Sequence, residues 1–152
     1  MQSKINKFAM FFCTSFGIGH LTSFPGTLAS FLILPVIWYL KKSDFLNIFF
    51  FFCIFFIFCY FLCFLALKSS ENKDPSCIVI DEYAGQFLTL LFCEETIVNY
   101  IFGFLFFRFF DIVKPFPISI FDKLDNSFGL MMDDIIAGLF SAFFLYIIFE
   151  YL

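Results

Sequence analysis

Twenty consecutive residues, Ile48 to Leu67, pass without a charged or amide side chain. As a helix rising about 1.5 Å per residue, this run is roughly 30 Å long, the thickness of a bilayer's hydrocarbon core. A soluble domain would have to bury it on every side, yet 62% of the 152 residues are hydrophobic and 25% aromatic. A domain of this size cannot hide that much apolar surface, because a large share of its residues must face water. The run therefore identifies an integral membrane protein, and the length suits a single domain, residues 1–152.

The formal net charge of −4 argues against a nucleic-acid partner. Six cysteines suggest no disulfide or metal framework. Cys53, Cys59 and Cys63 lie in the apolar run, where Cys packs as a small hydrophobe, and no CxxC pair occurs. The N-terminal stretch MQSKINKFAMFFCTSFG lacks a convincing signal-peptide core or small-residue cleavage site, so it reads as retained chain.

Four apolar segments organise the chain. Thr27–Leu40 is interrupted by Pro35 and ends in the interfacial pair Trp38 and Tyr39. Ile48–Leu67 is a clear span. Ala84–Phe110 is broken by Glu94 and Glu95 into two arms, which suits a helical hairpin that dips into the membrane or packs against it. Ile135–Tyr151 is a final helix, and Lys68–Ser76 is a polar loop. The fold class is thus all-α, an integral membrane helical bundle of about three to four hydrophobic helical segments. If the first two segments cross, Lys41 and Lys42 lie on one face. Lys4, Lys7, Lys68 and Lys73 lie on the other, where Arg108, Lys114 and Lys123 join them if the 84–110 hairpin returns to its starting face. The positive-inside rule places that second face, with all the polar motifs, in the cytoplasm.

Four motifs carry the chemistry. FGIGHLTSFPGTLAS (Phe16–Ser30) is a glycine-containing loop that starts a helix near Thr27, where Gly26 and Thr27 suit a phosphate. Taken alone it suits a plain turn before a membrane helix better, and its His20 suits a structural role. IVIDEYAGQ opens an apolar segment with Asp81 and Glu82, the acid pair a helix N-terminus favours. In RFFDIVKPFP, Arg108 and Asp111 share a helical face and Lys114 continues the row before Pro115 and Pro117 stop the helix. GLMMDDIIAG places Asp133 and Asp134 at the start of the last helix.

Singly, each motif has a bland explanation as a cap, a turn or a surface ion pair. Together they bring five carboxylates to a low-dielectric boundary, where acids raise one another's pKa unless a cation neutralises them. Oxygen-only ligands without a Cys or His cluster select a hard ion such as Mg²⁺. Arg108 offers a fork and Lys114 a point charge for a phosphate. This combination describes a metal-dependent site for a phosphorylated lipid, since charges at a membrane are functional by default.

The order P-G-T (Pro25–Thr27), D-E-x-x-G (Asp81–Gly85), R-x-x-D-x-x-K-P-x-P (Arg108–Pro117) and D-D-I-x-A-G (Asp133–Gly138) resembles the phosphatidylglycerophosphatase A family. The resemblance runs from about Phe16 to Ser141. It implies a Mg²⁺-dependent phosphatase of the bacterial inner membrane that converts phosphatidylglycerophosphate to phosphatidylglycerol, with its site facing the cytoplasm. On this reading Asp81, Glu82, Asp133 and Asp134 hold metal, while Arg108, Lys114, Gly26 and Thr27 bind the phosphate. Asp81, Asp111, Arg108 and Lys114 form the catalytic set, in which Asp111 either orients Arg108 or completes the metal shell.

Competing classes fit less well. A CDP-alcohol phosphotransferase needs a D-x-x-D-G-x-x-A-R signature, and Asp122–Asp125 has only its first spacing before Asn126 and Ser127 intervene. Histidine-based lipid phosphatases need two His, and the chain has one. Haloacid-dehalogenase-type phosphatases need a D-x-D, which does not occur. An ion-coupled transport subunit predicts charges in mid-span, whereas here they cluster at segment ends.

Overall fold

A computed structural model describes residues 2–21, 23–68 and 77–151, with the side chains of residues 2–4, 150 and 151 excluded. Eight α-helices and one short 3₁₀ turn (Ile18–His20) make up the described chain, and no strand occurs among the described residues. They are α1 (Gln2–Cys13), α2 (Pro25–Leu32), α3 (Leu34–Leu40), α4 (Phe45–Leu67), α5 (Ile80–Leu91), α6 (Ile97–Val113), α7 (Ile118–Asp122) and α8 (Ser127–Tyr151). Most of the expected loop after Lys68, with Lys73, lies outside the described residues.

Among the described residues, two helices are long and apolar enough to cross a membrane: Phe45–Leu67, with a mean hydropathy of 2.9, and Ser127–Phe149, with 1.8. On α4, Phe50, Ile54, Ile57 and Phe61 point outward, and on α6 so do Ile97, Ile101, Leu105 and Ile112. Apolar faces of that extent suit contact with lipid tails and, with the two long helices, suggest a membrane protein.

α5 is the axis of the bundle. Ten of its residues, from Ile80 to Leu91, are buried. α4, α6, α8 and the α2–α3 pair all pack against it. Phe87 is fully enclosed, with Phe51, Phe52 and Phe55 of α4 around its ring at centroid separations of 5.4–6.2 Å. Removing such a ring costs about 3–5 kcal/mol. The α2–α3 pair runs the same way as α5: Gly26 meets Glu82 at one end, and Lys41 donates to the carbonyls of Leu90 and Cys93 at the other. α6 runs oppositely, because Gly85 meets Phe107 while Leu90 meets Gly103.

Three boundaries differ from the sequence expectation. The Thr27–Leu40 segment is two helices joined at Ile33, with Pro35 in the first turn of α3, where a missing N–H costs nothing. The N-terminal stretch forms a helix whose Ala9 and Cys13 are buried with Cys59, Cys63 and Ala66 of α4. The last helix begins at Ser127 rather than near Ile135, because Asn126 Oδ1 accepts from the Gly129 N–H and caps it. Asp133 and Asp134 therefore lie in its second turn and not at its start. No disulfide joins the six cysteines.

Candidate active site

The site begins with two glycines. Where α5 crosses α8, a Cβ on Gly138 would stand 2.5 Å from the Gly85 carbonyl oxygen, and one on Gly85 would stand 2.6 Å from the Asp134 carbonyl oxygen. Only glycine permits backbones this close. Thr89 ties the crossing by donating its hydroxyl to the carbonyl of Gly85 at 3.0 Å and to that of Gly138 at 3.4 Å. One turn before these glycines stand Asp81 and Glu82 on α5 and Asp134 on α8. The close crossing sets them together: one oxygen from each lies within 4.8 Å of the others.

Asp81 and Asp134 are buried, and one oxygen each of Glu82 and Asp134 is enclosed without a hydrogen-bond partner. Burial first, and then the neighbouring Glu82 carboxylate, pushes the Asp81 carboxyl well above the usual range. Burial also raises Glu82, although its bond with Asp81 and the Arg108 charge pull the other way. Ionised carboxylates this close repel by about 3 kcal/mol per pair at an effective dielectric near 20. Three converging acids, two of them with an unused oxygen, fit a hard divalent cation, which would neutralise them and fill the empty lone pairs.

Behind Glu82 lies the P-G-T turn. A Cβ on Gly26 would fall 2.1 Å from Glu82 Oε1 and 3.1 Å from Arg108 Nη1, so this glycine leaves room for both charged groups. Arg108 Nη1 pairs with Asp111 Oδ2 at 2.5 Å and reaches Ser30 Oγ at 3.5 Å, while the Ser30 hydroxyl donates to the Gly26 carbonyl at 2.8 Å. Asp111 thus touches Arg108 and also lines the cavity that holds the acids. Thr27 is half-buried on α2.

Lys114 leaves the helical row. It caps α6 in the left-handed region (φ 46°), which turns the chain toward α7 and α8. Its ammonium donates to Asp133 Oδ2 at 2.7 Å and to Asp122 Oδ1. Burial pulls the Lys114 ammonium down, but the bonds from Asp122 and Asp133 outweigh it and hold its pKa above the ordinary lysine range. Asp81, Glu82, Asp111, Lys114, Asp133 and Asp134 all line one cavity of about 820 Å³. Apolar side chains, Phe64 and Leu67 at the end of α4 and Leu130 of α8 among them, share the rest of the lining with Lys68, Asp122 and Asp125.

The cavity thus unites three of the four motifs, with Gly26 and Arg108 backing Glu82. Sequence reasoning missed two residues. Asp122, in the short helix α7, shares Lys114 with Asp133. Gln86, one turn beyond Glu82 on α5, is fully buried, and neither its amide oxygen nor its nitrogen has a partner. The signal for Gln86 was its helical spacing from Glu82; for Asp122 there was none, since only folding brings α7 to Lys114. His20 is exposed.

A buried acid cluster in a cavity that also presents apolar side chains thus sits in an all-helical bundle with two candidate membrane-spanning helices among the described residues. The family model for phosphatidylglycerophosphatase A matches residues 11–149. The chain is 38% identical over 134 residues to phosphatidylglycerophosphatase A of Haemophilus influenzae, covering 84% of this chain and 80% of that protein. It is 35% identical over 140 residues to phosphatidylglycerophosphatase A of Escherichia coli, covering 88% and 78%. It is also 31% identical over 141 residues to a putative phosphatidylinositol-3-phosphatase of Bacteroides thetaiotaomicron, covering 84% and 85%. No solved structure matches. The chain belongs to the phosphatidylglycerophosphatase A family, a family of phosphatases, and is a hydrolase.

Proposed function

We propose that this protein hydrolyses the terminal phosphate of phosphatidylglycerophosphate, using Mg²⁺, at a site on the cytoplasmic side of a multi-pass bacterial inner-membrane protein. The observation that carries this reading is the convergence of Asp81, Glu82 and Asp134 within 4.8 Å in a cavity that also presents the apolar side chains of Phe64, Leu67 and Leu130. A phosphorylated lipid needs both surfaces at once. The basic residues support the orientation, because Lys68 and Lys114 share the cavity while Lys41 reaches the opposite end of α5.

Asp81, Glu82 and Asp134 would hold the ion, with Asp133 beside them. When bound, Mg²⁺ supplies charge neutralisation for phosphate oxygens and lowers the pKa of a coordinated water. The protein's own groups do the rest. Lys114 carries a full positive charge into the cavity and exchanges a carboxylate partner for a phosphate oxygen as the substrate enters. Asp111 holds the Arg108 fork in a fixed direction beside Glu82, so that its charge meets the developing negative charge without reorganisation. Phe64, Leu67 and Leu130 receive the first methylenes of the acyl chains and keep bulk water from the acids. The chemistry is chiefly positioning and electrostatics, as phosphoryl transfer allows.

The test is phosphate release in detergent micelles, with Mg²⁺ and with a chelator, from phosphatidylglycerophosphate and from phosphorylated phosphatidylinositol. Mg²⁺-dependent release from phosphatidylglycerophosphate is expected. Faster release from the inositol lipid would reassign the headgroup, and full activity in chelator would overturn the metal assignment.

A further inference from the structure

Phosphatidylglycerophosphate carries two anionic groups: the terminal monoester to be cleaved, and the phosphodiester that joins the headgroup to the diacylglycerol. The acid cluster and Lys114 account for the first. Building on the function proposed above, we propose that Lys68 binds the phosphodiester, and so selects lipids whose scissile phosphate stands one glycerol away from the membrane anchor.

Three observations place it there. Lys68 is the C-cap of α4, the residue at which a helix of spanning length ends, the place where a spanning helix would meet lipid phosphodiesters. It lines the same cavity as Asp81, Glu82 and Asp134, directly beside the apolar wall of Phe64 and Leu67. Its side chain is exposed and lies back over the Phe64 ring, with Nζ 5.7 Å from the centroid, an arrangement that holds the charge at the boundary between acyl and polar space. Among the described residues lining the cavity, Lys68 and Lys114 are the cations, and Lys114 already holds Asp122 and Asp133. Arg108 is engaged with Asp111 behind Glu82. Among the described residues Lys68 is therefore the cation on the acyl side of the site, and its three donors suit a phosphodiester as a point charge.

The test compares wild type, Lys68→Ala and Lys68→Arg in mixed micelles, with inhibition by two ligands that each carry half of the recognition. Phosphatidylglycerol has the phosphodiester and no monoester; inorganic phosphate represents the monoester subsite alone. Lys68→Ala is expected to raise KM for phosphatidylglycerophosphate by about tenfold, the scale of one charge-assisted contact, with the loss in KM rather than kcat. Inhibition by phosphatidylglycerol should weaken by a similar factor, inhibition by inorganic phosphate should weaken far less, and Lys68→Arg should recover most of both losses. An unchanged KM, a loss confined to kcat, or equal weakening of both inhibitors would overturn the proposal. Absence of turnover by wild type would instead refute the proposed function, which keeps the two failures distinct.

Discussion

Gly138→Ala is the smallest change that tests how the acid cluster is assembled. The added methyl carbon would lie 2.5 Å from the Gly85 carbonyl oxygen, against an ordinary contact of at least 3.4 Å, so α5 and α8 must separate by about 0.9 Å. The obstacle is backbone, which no side-chain rotation relieves. Overpacking of this kind costs about 1–3 kcal/mol, which a helical bundle can absorb and stay folded. The separation falls one turn from Asp134 on α8 and one turn from Asp81 and Glu82 on α5. A displacement of about 1 Å at a catalytic constellation costs on the order of 10²-fold in rate. Phosphate release from phosphatidylglycerophosphate, titrated against free Mg²⁺, should show a loss of that order and a higher Mg²⁺ requirement, with helicity by circular dichroism preserved. Activity within about twofold of wild type at the same Mg²⁺ would refute the claim that this crossing sets the carboxylate geometry.

Gln86→Leu should raise the melting temperature, since burying an unpartnered amide costs about 1–3 kcal/mol, while activity falls; a lower melting temperature would show that the amide has a structural partner. Arg108→Lys should lose at least about tenfold in kcat, because a lysine cannot hold Asp111 and reach Ser30 with one fixed fork, and steady-state kinetics would read this directly. Burial raises the carboxyls of Asp81 and Glu82, so without metal they contribute stability at low pH that is lost as pH rises through their raised folded-state values. Mg²⁺ replaces those protons, so its stabilising shift in thermal melts should grow from acid to neutral pH, and a shift independent of pH would contradict the assignment.

The hydropathy of residues 48–67 and the Glu94–Glu95 break were sufficient to expect α4 and the α5–α6 pair, because an uninterrupted apolar run and a charged break have few alternatives in a membrane. Arg108 and Asp111 were legible as a pair from their spacing alone, which the helix converts to contact. α1 was not, since its buried positions, Ala9 and Cys13, are small residues that leave little periodic signal until α4 packs on them. Lys114 read as a continuation of the Arg108 row, and only the left-handed turn at its own backbone redirects it to Asp122 and Asp133. The pairing of Asp81 and Glu82 with Asp134 was expected from shared chemistry. Its physical cause, the glycine contact between α5 and α8, required the folded chain, because a glycine in a helical pattern does not announce which neighbour it admits.

The central claim is that Asp81, Glu82 and Asp134 together hold a divalent cation that the hydrolysis requires. Electron paramagnetic resonance of Mn²⁺ added to the purified protein in detergent measures this most directly, comparing wild type with Asp134→Asn. Bound Mn²⁺ in the wild type that Mg²⁺ displaces, and its loss in a folded Asp134→Asn protein that no longer releases phosphate, is the predicted result. Wild-type protein that turns over substrate without binding Mn²⁺ or Mg²⁺, or an Asp134→Asn variant with unaltered binding, would contradict it.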